Sequence, residues 1–204
     1  QVVNIPHLAS FDMNNFESRT VELWFRRTTS TYVSDEYLIS KDNSAGSTGW
    51  GIFLKDSPRR IRFQLFGGGG LTSSGTITDM SWHHVALARD YFGNTSLYLD
   101  GQWDSSGVTG GAVTNTSNLK LGNSDARNKS FEGVIDEVRI WNVQRTGAEI
   151  MAQRFQHFIS NQPGLAGYWD LDEGVGQSVG DKSGGTSHGY RGITGSSEGA
   201  DPQW

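Results

Sequence analysis

Short segments in which apolar and polar residues alternate recur along this chain and constrain its fold more than any other feature. In residues 20–27 (TVELWFRR), Val21, Leu23 and Phe25 fall on one face of an extended segment. Residues 61–66 (IRFQLF) alternate in the same way. Period-two patterns of this kind predict strands with one buried face. We expect further strands at residues 38–41, 50–54, 82–89, 95–99, 119–122, 134–141 and 165–171.

Turn residues separate these segments and indicate an all-β fold. Asp100-Gly101 lies between two apolar runs, which is a strong hairpin signal because both turn positions favour positive φ. The 204 residues include 27 glycines, which favours many turns and short strands. We therefore predict a single domain over residues 1–204, folded as a two-sheet antiparallel β-sandwich of the jelly-roll type.

One helix is predicted near residues 146–158. Thr146 and Glu149 have the spacing of a capping box, in which each residue hydrogen-bonds the backbone of the other. Ile150, Phe155 and Phe158 follow at helical spacing, and we interpret this stripe as a packing face.

The bulk composition excludes several classes of function. The net charge is −5, which argues against a nucleic-acid partner, because phosphates require a basic face. The chain has no cysteine, so disulfides, cysteine–zinc sites and thiol catalysis are excluded. No apolar run approaches the roughly 20 residues of a membrane span, so membrane insertion is not expected.

Several motifs together resemble the laminin G and pentraxin-type domains of the concanavalin A-like superfamily. They are WHHVA at residues 82–86, LYLDG at 97–101, FEGVIDEVRIWN at 131–142 and GLAGYWDLDEG at 164–174. The similarity extends over nearly the whole chain, in the expected order. It implies a jelly roll, frequent calcium, and binding of glycans or protein surfaces.

The resemblance implies a structural calcium site at Asp136. Asp136 alternates with Val134, Val138 and Ile140, and a carboxylate on an apolar face is costly unless it is paired or bound to a metal. Asp181, in a glycine-rich loop, is the candidate second ligand. The alternative is that Asp136 caps a turn or pairs with an arginine such as Arg139 or Arg191.

A second candidate calcium site involves two loops. The resemblance to pentraxins matches Asp42 and Asn43 to one ligand loop, and Asn123 and Asp125 lie in the other, which is shorter and less acidic than in that family. The alternative is that these are two solvated polar loops, for which Asp and Asn are the expected turn residues.

Four aromatic residues in or beside predicted loops are the candidate ligand-binding residues: Tyr32, Tyr91, Phe92 and Trp103. Aromatic rings provide flat apolar surfaces against which sugar rings stack. The alternative is ordinary surface packing. The histidines are scattered, and we expect them to be structural.

No catalytic motif is recognisable. The nearest match to the paired carboxylates of glycoside hydrolases is Asp170-Leu171-Asp172-Glu173, where Asp170 and Asp172 would share a strand face. Both glutamates of that pattern are missing, so we interpret this segment as a strand end followed by a turn.

The sequence therefore predicts a non-catalytic, calcium-stabilised carbohydrate-binding or adhesion module, extracellular and bacterial, within a larger protein. Its expected partner is a glycan or polysaccharide, or a cell-surface protein. The alternatives are a structural or protein–protein interaction module without glycan affinity, and a divergent glycoside hydrolase or polysaccharide lyase.

Overall fold

The computed structural model describes residues 2–31, 34–55, 57–111, 113–127, 129–159, 161–192 and 195–196. In these residues the chain forms fourteen strands in two antiparallel sheets, together with one short α-helix. This arrangement confirms the predicted all-β sandwich.

The eight-stranded sheet contains β1 (Val3–Ile5), β3 (Glu36–Asp42), β4 (Gly49–Leu54), β5 (Ile61–Phe66), β6 (Gly70–Thr72), β10 (Leu119–Leu121), β13 (Ser178–Val179) and β14 (Gly189–Arg191). Its strand order is β13-β14-β1-β10-β3-β4-β5-β6. The six-stranded sheet contains β2 (Arg19–Arg27), β7 (His83–Arg89), β8 (Asn94–Leu99), β9 (Gln102–Val108), β11 (Gly133–Trp141) and β12 (Leu165–Trp169). Its order is β12-β11-β2-β7-β8-β9.

The core lies between the two sheets and is built from the alternating residues. Val21, Leu23 and Phe25 of β2 are fully buried there, as are Ile61 and Phe63 of β5. The face assignments predicted for these two strands are therefore confirmed. The Asp100-Gly101 turn is also confirmed, because both residues have positive φ (52° and 81°) between β8 and β9.

The helix α1 (Gly147–Gln153) begins at the predicted capping box but ends earlier than predicted. The Thr146 side chain accepts from the Glu149 backbone, and the Glu149 carboxylate accepts from the Thr146 backbone at 2.7 Å. Residues 154–159 lie outside the helix, and side chains from the six-stranded sheet bind backbone carbonyls at the C-terminal end of α1. Trp24 Nε1 donates to the Arg154 carbonyl at 2.7 Å, and Arg139 donates to the Gln153 carbonyl at 3.0 Å.

A buried polar network lies on the outer face of the six-stranded sheet, beneath this segment. Trp141 Nε1 donates to Glu22 Oε1 at 2.8 Å, and His84 Nε2 lies 3.3 Å from Glu22 Oε2. Burial raises the pKa of Glu22, but the hydrogen bond and charge of His84, with Arg139, lower it overall. The network holds Arg139, which in turn fixes the position of residues 154–159.

A β-bulge in β11 corrects the prediction for Asp136. Asp136 pairs with Trp24 and Arg139 pairs with Glu22, so β11 has one extra residue at this point, next to Glu137 with φ 52°. The bulge reverses the alternation: Val138 and Ile140 face the core, whereas Asp136 lies on the outer face. The prediction that Asp136 shares an apolar face with Val138 and Ile140 is therefore wrong.

The C-terminal residues close both sheets. β12 pairs with β11 in one sheet, and β14 pairs with both β13 and β1 in the other. Among the described residues, none of the helical structure is long and apolar enough to span a bilayer.

Candidate functional site

Three exposed aromatic rings, Phe16, Tyr91 and Phe92, form what we call the aromatic corner. The Phe16 and Tyr91 ring centroids are 5.3 Å apart, and those of Tyr91 and Phe92 are 5.4 Å apart with the rings nearly perpendicular. The exposed fractions of these residues are 65%, 51% and 77%. Large apolar side chains that cluster in solvent rather than in the core commonly mark a binding surface.

The loop between β7 and β8 holds two of these rings in place. Asp90 Oδ1 accepts from the backbone N–H groups of Phe92 and Asn94, both at 2.8 Å, and Oδ2 accepts from Asn94 Nδ2 at 2.7 Å. The Asn94 side chain, with these backbone donors, lowers the pKa of Asp90. Because a charged carboxylate fixes the turn, Tyr91 and Phe92 are displayed on an ordered backbone rather than a loose one.

The structure brings together two of the four predicted ligand residues. Trp103 is 61% exposed but lies on β9, and the ring contacts recorded for the described residues do not join it to the aromatic corner. Tyr32 lies outside the described residues. Phe16 was missed, because its position beside Tyr91 depends on a contact between residues distant in sequence. The only local signal is the polar Asn14-Asn15 pair before it.

The predicted pair of calcium loops does come together, around Asp42. Asp42 Oδ2 accepts from Ser124 Oγ at 2.6 Å, and Oδ1 accepts from Ser40 Oγ at 3.0 Å and from the Asp125 backbone at 3.2 Å. Asn123 accepts from Ser40 Oγ through its backbone carbonyl at 2.9 Å. The Asp42 carboxylate is buried, and the ion pairs of the described residues give it no cationic partner.

The other members of these loops have partners of their own. Asn43 Oδ1 accepts from the backbone of Ser47 at 2.9 Å and of Thr48 at 3.2 Å, which closes the turn between β3 and β4. Asp125 forms an ion pair with Lys120. Asp42 is thus the member of this set that is buried and has no cationic partner among the described residues.

Asp181 serves its own loop. Asp181 Oδ1 accepts from the Tyr168 backbone at 3.2 Å and from the Ser183 backbone and hydroxyl at 2.9 and 2.6 Å, and Oδ2 accepts from the Ser187 backbone at 3.1 Å. These contacts tie the loop before β14 to β12, and none of them involves Asp136. Calcium shared by Asp136 and Asp181 stays a prediction.

Asp136 instead lies near a second group of acidic residues, where β11 and β12 meet residues 154–159. Burial and the carboxylates of Glu137, Asp172 and Asp170 raise the pKa of Asp136 to about 6. β12 ends at Trp169, two residues before the predicted end at Leu171, and Leu171 has φ 57°, so Asp170 and Asp172 do not alternate along a strand. We call Asp136, Glu137, Asp170, Asp172 and His157 the carboxylate corner.

His157 lies at the centre of this corner. Its Nδ1 is 3.1 Å from Glu137 Oε1 and 3.2 Å from the Tyr168 hydroxyl, and its Nε2 is 3.7 Å from Asp170 Oδ2. The prediction that the histidines are scattered therefore needs correction for His157, which lies near a carboxylate of β11 and one that directly follows β12. No local sequence pattern indicates these contacts, because they arise from the early end of α1.

The two packed antiparallel sheets place the chain in the class of all-β sandwiches. The chain belongs to the concanavalin A-like lectin/glucanases superfamily, because a laminin G family model with that description matches residues 1–151. The search of curated proteins gives no match.

Solved structures share the fold at low sequence identity. A proposed carbohydrate-binding protein from Bacteroides ovatus has a TM-score of 0.74 at 19% identity, and the match covers 93% of this chain and 55% of that protein. The CBM40 module of the Ruminococcus gnavus IT-sialidase has a TM-score of 0.58 at 15% identity, and the match covers 68% of this chain and 83% of that module. The same module has also been solved with α2,3-sialyllactose. The binding domain of Paraclostridial Mosquitocidal Protein 1 has a TM-score of 0.58 at 17% identity, with coverage of 80% and 43%. The chain thus spans about half the length of the Bacteroides protein.

Proposed function

We propose that this chain is a non-catalytic carbohydrate-binding module whose glycan site is the aromatic corner. The observation that carries this proposal is the exposure of Phe16, Tyr91 and Phe92 on a loop ordered by Asp90. Sugar rings present apolar C–H faces, and clustered aromatic rings remove those faces from water without needing to move. The carbohydrate-binding structures that share the fold support the same assignment.

The test is binding of the purified chain to a panel of soluble polysaccharides and oligosaccharides, with Tyr91→Ala and Phe92→Ala as variants. We expect each variant to weaken binding about tenfold or more, because truncating a central aromatic anchor typically costs at least 1–2 kcal/mol. Folding is unaffected, since both rings are solvent-exposed.

Two control variants locate the site. Phe155→Ala removes an exposed ring that stacks on Trp24 at the other end of the six-stranded sheet, and it leaves glycan binding unchanged. Trp103→Ala tests the predicted ligand residue on β9. Loss of binding in Trp103→Ala alone moves the site to β9, and release of reducing ends or unsaturated sugars contradicts the non-catalytic assignment.

We also propose that calcium stabilises the loop pair around Asp42. The support is the resemblance of these loops to the pentraxin calcium loops, together with a buried carboxylate that has no cationic partner among the described residues. Its two backbone donors, the Asp125 and Ala126 N–H groups, are long at 3.2 and 3.4 Å, and the Ser40 hydroxyl joins it to the Asn123 carbonyl, an oxygen of the kind that calcium binds. Calcium would replace some of these donors. The melting temperature is then higher with calcium than with EDTA, and Asp42→Asn removes the difference. An identical melt in both conditions contradicts the proposal.

An extracellular setting is part of the same proposal. Its support is that the similar structures include a sialidase module and the binding domain of a mosquitocidal protein. Surface labelling of intact cells that express the natural protein tests it, and exclusively intracellular protein contradicts it.

A further inference from the structure

The carboxylate corner contains three side chains that can share one metal ion. His157, Asp170 and Asp172 each offer a ligand atom, and these atoms all lie within 4.8 Å of one another. They come from different parts of the fold: Asp170 and Asp172 follow β12, and His157 lies in the segment after α1. Their convergence depends on the short helix and on the turn at Leu171, whose φ is 57°.

Asp170 points to a ligand independently of its neighbours. The residue is only 5% exposed, and its Oδ1 has no hydrogen-bond partner in the described part of the chain. Its Oδ2 is 3.7 Å from His157 Nε2 and 3.8 Å from Lys182 Nζ, distances too long for hydrogen bonds. Burying a carboxylate oxygen without a partner is costly, and a cation at this position would remove that cost.

Glu137 orients His157 toward Asp170. The Nδ1 atom lies within hydrogen-bond distance of Glu137 Oε1, so a proton on Nδ1 leaves the lone pair of Nε2 directed to the side of Asp170. A carboxylate that holds one nitrogen of a histidine while the other binds metal is a recurrent arrangement in metal sites.

The local charge also favours a cation. Asp136, Glu137, Asp170 and Asp172 bring four carboxylates together, and the basic side chains that face them are Arg139, Lys182 and, when protonated, His157. Arg139 is buried and paired with Glu137 and Glu22, so its charge is already compensated. The Lys182 side chain is 46% exposed and is free to turn toward solvent.

We propose that His157 Nε2 and the carboxylates of Asp170 and Asp172 bind a divalent cation of the zinc class. Zinc accepts nitrogen and oxygen ligands in four-coordinate sites, and sites with three protein ligands keep the fourth position for water. Calcium takes about 6–8 oxygen ligands, so an imidazole ligand favours the zinc class. The ion would fasten residues 154–159 to the end of β12. This site is separate from the aromatic corner and does not depend on glycan binding.

The experiment uses the full chain after EDTA has removed any bound metal. Zinc chloride is titrated into it by isothermal titration calorimetry, and thermal melting is measured with and without zinc. We expect one equivalent to bind and the melting temperature to rise. His157→Gln and Asp172→Asn, both at exposed positions, are each expected to weaken binding at least tenfold. Circular dichroism spectra of the two variants match that of the wild type.

The control variants are His7→Gln and Glu132→Gln, which change one histidine and one carboxylate away from the corner and leave zinc binding unchanged. Calcium chloride is titrated in parallel. Absence of zinc binding overturns the proposal. Zinc binding that is unchanged in His157→Gln also overturns it. A third contradicting outcome is that the corner binds calcium but not zinc, with calcium binding lost in Asp172→Asn and kept in His157→Gln. A glycan-binding defect does not bear on this result, because it is measured with the variants of the aromatic corner.

Discussion

Asp181 and Asp170 are buried to a similar degree, at 7% and 5% exposure, but their surroundings are opposite. The Asp181 carboxylate accepts hydrogen bonds from three backbone N–H groups and one hydroxyl. The Asp170 carboxylate faces other acids and a histidine, and one of its oxygens has no partner in the described residues.

The difference shows that burial of an acid does not by itself indicate a metal site. Where backbone donors surround a carboxylate, the charge is already stabilised and the group fixes a loop. Where acids surround it, as at Asp170, the half-exposed Lys182 at 3.8 Å is a weak counter-charge. The following predictions test this contrast, in order of decreasing effect.

Replacing Asp181 with Ala is expected to lower the free energy of unfolding by about 3–5 kcal/mol, because three buried N–H groups lose their acceptor at about 1–3 kcal/mol each. Urea unfolding measures this change. Asp172→Ala, at the carboxylate corner, is the control and is expected to cost far less in EDTA. A loss below about 1 kcal/mol for Asp181→Ala would show that water replaces the carboxylate.

Replacing Asp136 with Asn is expected to stabilise the chain by about 1 kcal/mol at pH 7 in EDTA. Burial and three nearby carboxylates raise the pKa of Asp136 from 3.8 to about 6, so its charged form is disfavoured in the folded state. A rise of that size corresponds to about 3 kcal/mol for a fully buried group, and solvent screening at this half-buried position reduces it to about 1 kcal/mol.

The pH dependence of this effect has a defined sign. The folded state binds a proton more tightly than the unfolded state, so this residue lowers stability above pH 6, and the loss disappears as the pH falls from 6 to below 4. Chemical unfolding at pH 7.5 and pH 4 measures it, and Asp136→Asn removes this contribution. Equal stabilisation by Asp136→Asn at both pH values would contradict the electrostatic cause.

The smallest effect is expected for Lys182→Gln. Lys182 is a half-exposed cation at 3.8 Å from Asp170, and such pairs contribute at most about 0.5 kcal/mol. We expect a slight loss of stability in EDTA and tighter zinc binding, because a competing cation is removed. Weaker zinc binding in this variant would show that Lys182 supports the site rather than competing with it.

Much of the fold follows from local sequence patterns. The alternation in residues 20–27 and 61–66 gives the correct buried faces, and Asp100-Gly101 gives the correct hairpin. The sequence does not predict the strands β1, β6, β13 and β14, because segments of two or three residues are too short to show alternation. The prediction places Trp103 in or beside a loop, whereas it lies in the exposed edge strand β9, whose residues show no alternation of apolar and polar side chains.

The carboxylate corner cannot be predicted from the sequence to the same extent as the fold. Strict alternation places Asp136 on the core face, and a one-residue bulge at Glu137 reverses this, which no local pattern indicates. Asp170 and Asp172 were considered only as a strand pattern, whereas the turn at Leu171 and the early end of α1 bring both to His157. Contacts that depend on a bulge and on a helix end need the three-dimensional structure.

The pairing of β1 with β14 has a consequence for how the chain acquires its structure. Asn4 Nδ2 donates to the Gly192 carbonyl at 2.5 Å, so two groups separated by 188 positions meet at the same sheet. At a synthesis rate of about 5–20 residues per second, β14 therefore leaves the ribosome about 10–40 seconds after β1. During that time, one side of β1 is an open strand edge that other nascent chains can pair with.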